Sequence, residues 1–163
     1  MVLDIGASAT KLFIVEFGIV KMSHVITRGS QNITRTIAQT QGMTLSKAEE
    51  LKREIGITGG PEYKDMSEAV LLVLGAIFGE VNRALLQYEK RYNKNISQVY
   101  LTGGGAVLKG VFEFAKKQLE TEVLLGDPFA KVQAPAFLED ILKQVGPEFA
   151  VAVGLALRKL QET

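Results

Sequence analysis

Three apolar runs open the chain: Val2 to Ile5, Lys11 to Phe17, and Ile19 to Thr27. Only a turn beginning Gly6-Ala7-Ser8-Ala9 and the single Gly18 part them. Runs this short, rich in Val, Ile and Phe and bounded by small residues, are strands. Connections this short leave no room for a parallel crossover, so the strands must return antiparallel. The spacing therefore predicts a three-strand meander. In its third strand Val20, Met22, His24 and Ile26 share one face, and Lys21 and Ser23 share the other. His24 reads there as a half-buried strand residue rather than a catalytic one.

The next segment, 29–65, turns polar and helical and reads as a small insertion on the main sheet. Asn32 or Ser30 can cap a helix carrying Ile33, Ile37 and Ala38 that ends near Gly42. Ser46 can cap Lys47 to Ile55, which places Glu49 as in a capping box. Gly56 stops that helix, and Thr58-Gly59-Gly60-Pro61 is a loop. Ser67 then opens the longest helix, reaching about Tyr92, with Val70, Leu74, Ile77, Val81, Ala84 and Tyr88 in one apolar stripe. Gly75 and Gly79 in that helix suggest close packing on a sheet.

The later elements alternate. A strand over Gln98 to Leu101 runs into Thr102-Gly103-Gly104-Gly105-Ala106, and a helix is expected from about Ala106. Glu122 to Leu125 is a short strand, followed by the turn Gly126-Asp127-Pro128-Phe129 and a helix around Phe137 to Gln144. Pro147 suits the first turn of a last helix, Glu148 to Leu160, which is apolar almost all round and is expected to be buried. The fold class is α/β: a five-stranded mixed sheet, meander plus parallel strands, flanked by helices. The core takes 1–28 and 66–163.

Composition removes several functions. The formal charge is +1, without the basic surplus of a nucleic-acid groove. No cysteine is present, so disulfides, thiol nucleophiles and most structural zinc sites are excluded, which fits a reducing, cytoplasmic setting. A single histidine is too little for a histidine metal site or a Ser-His-Asp relay. The start lacks the pattern of a signal peptide. The longest apolar stretch, Ala69 to Gly79, has eleven residues between Glu68 and Glu80, short of the ~20 a membrane helix needs. The expectation is a soluble domain that meets a membrane only through a partner.

Two glycine-bearing turns carry the candidate chemistry. One is Asp4-Ile5-Gly6-Ala7-Ser8-Ala9-Thr10; the other is Gly103-Gly104-Gly105. Small residues in such turns let successive backbone N–H groups face one concavity, which suits a phosphate, and a helix starting at Ala106 would add its dipole. Asp4, at a strand end beside the first turn, can reach magnesium through water. A helical crossover can lay the Gln98 strand parallel to the first. Both turns then emerge at one sheet edge, where open α/β sheets bind ligands.

These residues resemble a known family. D-I-G-x-x-x-T after the first strand and L-T-G-G-G-A-x-L-x-G later are similar to the second phosphate loop and the adenosine loop of the actin-like ATPases, a ribonuclease H-like fold. The likeness is closest to the PilM family of type IV pilus assembly, with the FtsA cell-division family next. Gly29 with Thr34, Ile37 and Ala38, the run Ala48-Glu49-Glu50-Leu51-Lys52, the turn Asp127-Pro128-Phe129 (Asp where Asn is usual), and Phe149 to Leu157 all resemble PilM patterns.

The resemblance implies that ATP and magnesium are the cofactors. Gly6, Ala7 and Ser8 would offer amides to the β- and γ-phosphates, Thr10 would brace the loop, and Asp4 would orient the magnesium shell. Gly103, Gly104 and Gly105 would pass under the ribose and α-phosphate. Glu49 and Lys52 would reach the ribose and adenine edge; without the resemblance they read as an exposed ion pair. Gly154 would allow close helix packing near a hinge. The implied partners are pilus assembly proteins of the inner-membrane platform, with the protein cytoplasmic and peripheral to that membrane.

Actin-like proteins hold ATP between two such domains, and this sequence carries one phosphate loop, almost at Met1. It is expected to be the second, C-terminal domain of a fragment or truncated gene whose N-terminal domain is its first partner. No general base is assigned, and the chain alone is expected to be inactive, with weak or no nucleotide binding. Three alternatives stay open: an FtsA-like filament subunit, against which the plain ending Arg158 to Thr163 weighs; half of a small-metabolite kinase of the same fold; and an interaction module that binds no nucleotide.

Overall fold

A computed structural model describes residues 1–57 and 59–161. Thr58 of the expected loop and Thr163 of the chain end lie outside the described residues. The first three strands are β1 Val2–Ile5, β2 Thr10–Glu16 and β3 Ile19–Ile26. The insertion holds α1 Ser30–Gln41 and α2 Leu45–Ile55, and the long helix is α3 Lys64–Tyr92. Then come β4 Gln98–Thr102, α4 Val111–Gln118, β5 Glu122–Leu125, α5 Glu139–Val145 and α6 Ala150–Gln161. Short 3-10 turns at Pro61–Tyr63, Ala136–Leu138 and Gly146–Phe149 precede α3, α5 and α6.

The sheet has five strands in the order β3-β2-β1-β4-β5. The meander is antiparallel, and β1 pairs in parallel with β4, Leu3 opposite Leu101 and Asp4 opposite Thr102. Side chains alternate across a strand, so one sheet face carries Leu3, Ile5, Leu12, Ile14, Val99 and Leu101, all buried. The α3 stripe of Val70, Leu74, Ile77, Phe78 and Val81 is buried in the same core. By length and composition alone α3 could pass for a membrane span. That buried stripe makes it the core helix instead.

Several local expectations are corrected. His24 is exposed: it stands on β3, the sheet edge, where no neighbouring strand covers it. Thr44, not Ser46, caps α2, its hydroxyl accepting from Lys47 N, so Glu49 is released from a capping role. Ser67 lies inside α3 rather than at its start, with its hydroxyl buried and without a hydrogen-bond partner among the described residues. Among the described residues a Cβ on Gly75 or Gly79 would meet nothing within 4 Å, so neither glycine marks a close packing contact on the sheet; the space at Gly154 is likewise open. The last helix is largely exposed, with Val151 and Leu155 each 62% accessible. Among the described residues only part of its apolar surface, at Val153 and Leu157, is half-buried.

Candidate functional site

Both glycine-bearing turns leave the carboxyl ends of β1 and β4, which are neighbours and run the same way. They touch. Gly105 N–H donates to the Ile5 carbonyl over 2.9 Å. A Cβ on Gly103 would collide with the Asp4 carboxylate and the Ile5 carbonyl, and one on Gly105 with the Ile5 side chain. Gly103 also takes φ +85°, a conformation that favours glycine. The triple glycine is therefore first a packing requirement of β1 against the second turn.

The amides divide accordingly. Gly6 N–H is spent on the Ala9 carbonyl (3.0 Å), Gly103 N–H on the Pro147 carbonyl (2.7 Å) and Gly105 N–H on Ile5. These three cannot also serve a ligand while the turns keep this form, which narrows the expected donor set. Among the described residues no hydrogen bond occupies the N–H of Ala7, Ser8 or Gly104, and all three are exposed. A second correction concerns the helix expected at Ala106. Residues 103–110 form turns, with Ala106 N–H closing on the Gly103 carbonyl, and α4 starts at Val111 behind Gly110. No helix dipole points into the site from there.

The first turn is braced from behind. Thr10, fully buried, donates its hydroxyl to the Arg28 carbonyl over 2.9 Å, tying the start of β2 to the end of β3. Ser30 and Gln31, at the N-terminus of α1, donate their N–H groups to the carbonyls of Gly6 (2.9 Å) and Ala7 (2.8 Å). Those helix-end donors, which could have faced an anion, instead hold the loop. Asp4 alternates with buried Leu3 and Ile5, so its carboxylate faces away from the helix layer, beside Gly103.

In front of these turns lies an open cleft of about 540 Å³. Ala7 and Gly104 of the two turns, Glu49, Lys52 and Arg53 of α2, and Lys109 and Glu148 line it. Lys52 is the unusual group: its side chain is only 4% accessible. Its ammonium donates to Glu49 Oε2 (2.6 Å) and to Thr34 Oγ1 (2.9 Å), while Arg53 Nε donates to Glu49 Oε1 (3.1 Å). Burial works against the Glu49 charge, yet hydrogen bonds from Lys52, Thr34 and Arg53 outweigh it and hold the carboxyl at about 2. The pair is thus a half-buried network at a cleft rather than an exposed surface bridge.

Of the expected site residues, Ala7, Gly104, Glu49 and Lys52 line the cleft together. Asp4, Gly6, Ser8, Thr10, Gly103 and Gly105 belong to the two turns that bound it. Sequence reasoning missed Ser30, Gln31, Arg53, Lys109 and Glu148. Arg53 was within reach, being one turn beyond Glu49 on α2. Lys109 carries no local signal: its Nζ donates to the Glu54 carbonyl and its own carbonyl accepts from Ile57, contacts between distant segments.

Comparison with known proteins bears on the family and the fold. A family model described as type IV pilus assembly protein PilM matches residues 1–160. Among solved structures, one titled as a PilM–PilN type IV pilus biogenesis complex superposes with a TM-score of 0.82 at 31% identity, over 96% of this chain and 44% of that one. The ethanolamine utilization protein EutJ from Carboxydothermus hydrogenoformans gives 0.69 at 20% identity, over 96% and 48%. A non-polymerising MamK mutant bound to AMPPNP gives 0.55 at 16%, over 90% and 52%, a likeness of fold alone. The cell division protein FtsA of Neisseria meningitidis serogroup B is 25% identical over 94% of this chain and 41% of that protein. The fold is that of the actin-like ATPases, and the chain spans about half the length of the relatives it matches.

Proposed function

The chain belongs to the PilM family of type IV pilus assembly proteins, and from that premise we propose that it is the nucleotide-holding half of a two-domain actin-like adaptor. The observation that carries this reading is the convergence of two turns, with three unoccupied amides, beside a cleft of nucleotide size. Ala7 and Ser8 would bind the terminal phosphates of ATP, and Gly104 the inner phosphate. Gly6, Gly103 and Gly105 would keep the turns in place, and Thr10 would brace the first. Glu49, ionised through the physiological range, would accept from ribose hydroxyls, while Lys52 would donate toward the base.

The donor set also bears on magnesium. Among the described residues no cluster of three metal-ligating side chains exists. A lone carboxylate suits an ion that keeps most of its waters, so Asp4 would orient magnesium through its water shell. The nucleotide, when bound, supplies the phosphoryl chemistry; proteins of this kind act on it mainly by positioning and charge stabilisation. No residue here is assigned as a general base.

The adaptor role rests on what the relatives do and on exposed surface. In a related structure PilM is assembled with PilN, so a PilN-type protein of the pilus machinery is the proposed partner, with the adaptor cytoplasmic and peripheral to the inner membrane through that contact. The cleft is open on one side and α6 is apolar and accessible, which supports a second, N-terminal actin-like domain closing the clamp. Calorimetry with Mg-ATP tests the reading. Alone, this chain is expected to bind at ~1 mM or weaker, about 4 kcal/mol. Joined to a preceding actin-like half it should bind far more tightly, and Asp4→Ala should weaken that binding. Submicromolar binding by this chain alone would contradict the two-half clamp.

A further inference from the structure

Thr34 has no place in the reading above, yet it sits at the centre of the Glu49–Lys52 network. It projects from α1, is 6% accessible, and its Oγ1 lies 2.6 Å from Glu49 Oε2 and 2.9 Å from Lys52 Nζ. The Ser30 carbonyl, at 3.2 Å, is the competing acceptor. A hydroxyl has one proton to give and lone pairs to take with. The short contact marks a charge-assisted bond, so Thr34 gives its proton to Glu49 and accepts from Lys52. It joins both charged groups at once, and it does so from a different helix.

Resting on the nucleotide-cleft reading, we propose that Thr34 is a positioning residue that fixes the Glu49 carboxylate and the Lys52 ammonium in one arrangement at the cleft wall. The reason is rotational freedom. Glu49 and Lys52 stand three residues apart on α2 and could meet in several rotamers, because the lysine stem is long and flexible. Arg53 holds the other carboxylate oxygen, but from an exposed position. A buried hydroxyl anchored on α1 removes that choice, and it locks α1 to α2. Glu49 is hydrogen-bonded by Thr34 from α1 and by Lys52 and Arg53 from α2, and Ser30, Lys109 and Glu148 line the same cleft. Among the described residues only Thr34 is hydrogen-bonded to both members of the pair.

The test is a carbon-13 NMR titration of the Glu49 carboxyl, without ligand, in the wild-type chain and in Thr34→Val, Thr34→Ala and Thr34→Ser. Thr34→Val keeps the shape and removes the hydroxyl; its Glu49 midpoint should rise by about one pH unit, since one stabilising hydrogen bond to the charged form is gone. Thr34→Ala should behave alike, and Thr34→Ser should restore the wild-type midpoint. A merely structural role would change unfolding without moving this midpoint. In an NMR titration with Mg-ATP the Val variant should bind ~3- to 10-fold more weakly, the range for one hydrogen bond. A midpoint unmoved in both Thr34→Val and Thr34→Ala overturns the proposal, as does a moved midpoint with unaltered Mg-ATP affinity. Absence of Mg-ATP binding even when the chain is joined to a preceding actin-like half would sink the nucleotide reading, while the ligand-free titration would still decide whether Thr34 orients the pair.

Discussion

Gly105 donates its backbone N–H to the carbonyl of Ile5 over 2.9 Å, and this bond joins the turn after β4 to the turn after β1. Nothing larger than glycine fits there, because a Cβ at Gly105 would enter the Ile5 side chain. At neighbouring Gly104 a Cβ would meet nothing within 4 Å. Gly105→Ala is therefore expected to destabilise the fold by about 2 kcal/mol, the usual scale of forced overpacking, whereas Gly104→Ala should be nearly neutral. Urea unfolding of both variants checks the contrast; equal effects would mean the turns do not pack as described.

The pH dependence of stability should carry the mark of Glu49. Its carboxyl is held at about 2, below the ordinary 4.5. A depressed carboxyl contributes stability that is fully present above pH 4.5 and is lost as pH falls toward 2. With its side chain 36% accessible, solvent screening reduces the effect to ~1–2 kcal/mol. Glu49→Gln should flatten the stability profile across this window. Thermal unfolding of both proteins between pH 5 and pH 2.5 measures it (a window set by the two carboxyl values), and parallel profiles would contradict the network.

Lys52 tests the other half of the pair. Removing one member of a buried ion pair leaves the other's charge less compensated, although Glu49 would keep Thr34 and Arg53 as partners. Lys52→Met should then cost about 1–3 kcal/mol of unfolding free energy and also weaken Mg-ATP binding. Unaltered Mg-ATP binding would show that the ammonium is chiefly structural.

Thr10 is fully buried and donates to the Arg28 carbonyl. Thr10→Val leaves that carbonyl without its donor, at a cost of about 1–2 kcal/mol. Chemical denaturation reads this directly, and a neutral outcome would remove Thr10 as the brace of the first turn.

An apolar helix left in water should make this chain self-associate at high concentration. Val151→Glu with Leu155→Glu places charge on the accessible α6 surface and should reduce association without altering the melting of the core. Light scattering as a function of concentration checks this; association unchanged by the double variant would place the adhesive surface elsewhere.

What the sequence could and could not convey follows from the physics of each element. The meander and the parallel β1–β4 pairing were legible because alternation and connection length leave few topologies, and that pairing put the two turns on one edge. Three local features were not. Val107, Leu108 and Val111 give the same apolar spacing in a turn as in a helix, so the start of α4 was placed too early. Ser46 and Thr44 are both competent caps, and only the folded geometry chooses Thr44. The apolar surface of α6 reads as buried because burial is what such a surface needs, but among the described residues Val151 and Leu155 have little cover. At the site, Glu49 and Lys52 were visible only through family likeness, and Thr34, Arg53 and Lys109 join them through tertiary contacts that no local pattern encodes.

The most direct measurement is a nitrogen-15 NMR titration of this chain with Mg-ATP, read amide by amide. Shifts are expected at Ala7, Ser8 and Gly104 that follow one binding curve with those at Glu49 and Lys52, half-saturated at ~1 mM nucleotide or above. Amides of Ala7, Ser8 and Gly104 that stay still while others move would contradict the two-turn phosphate site.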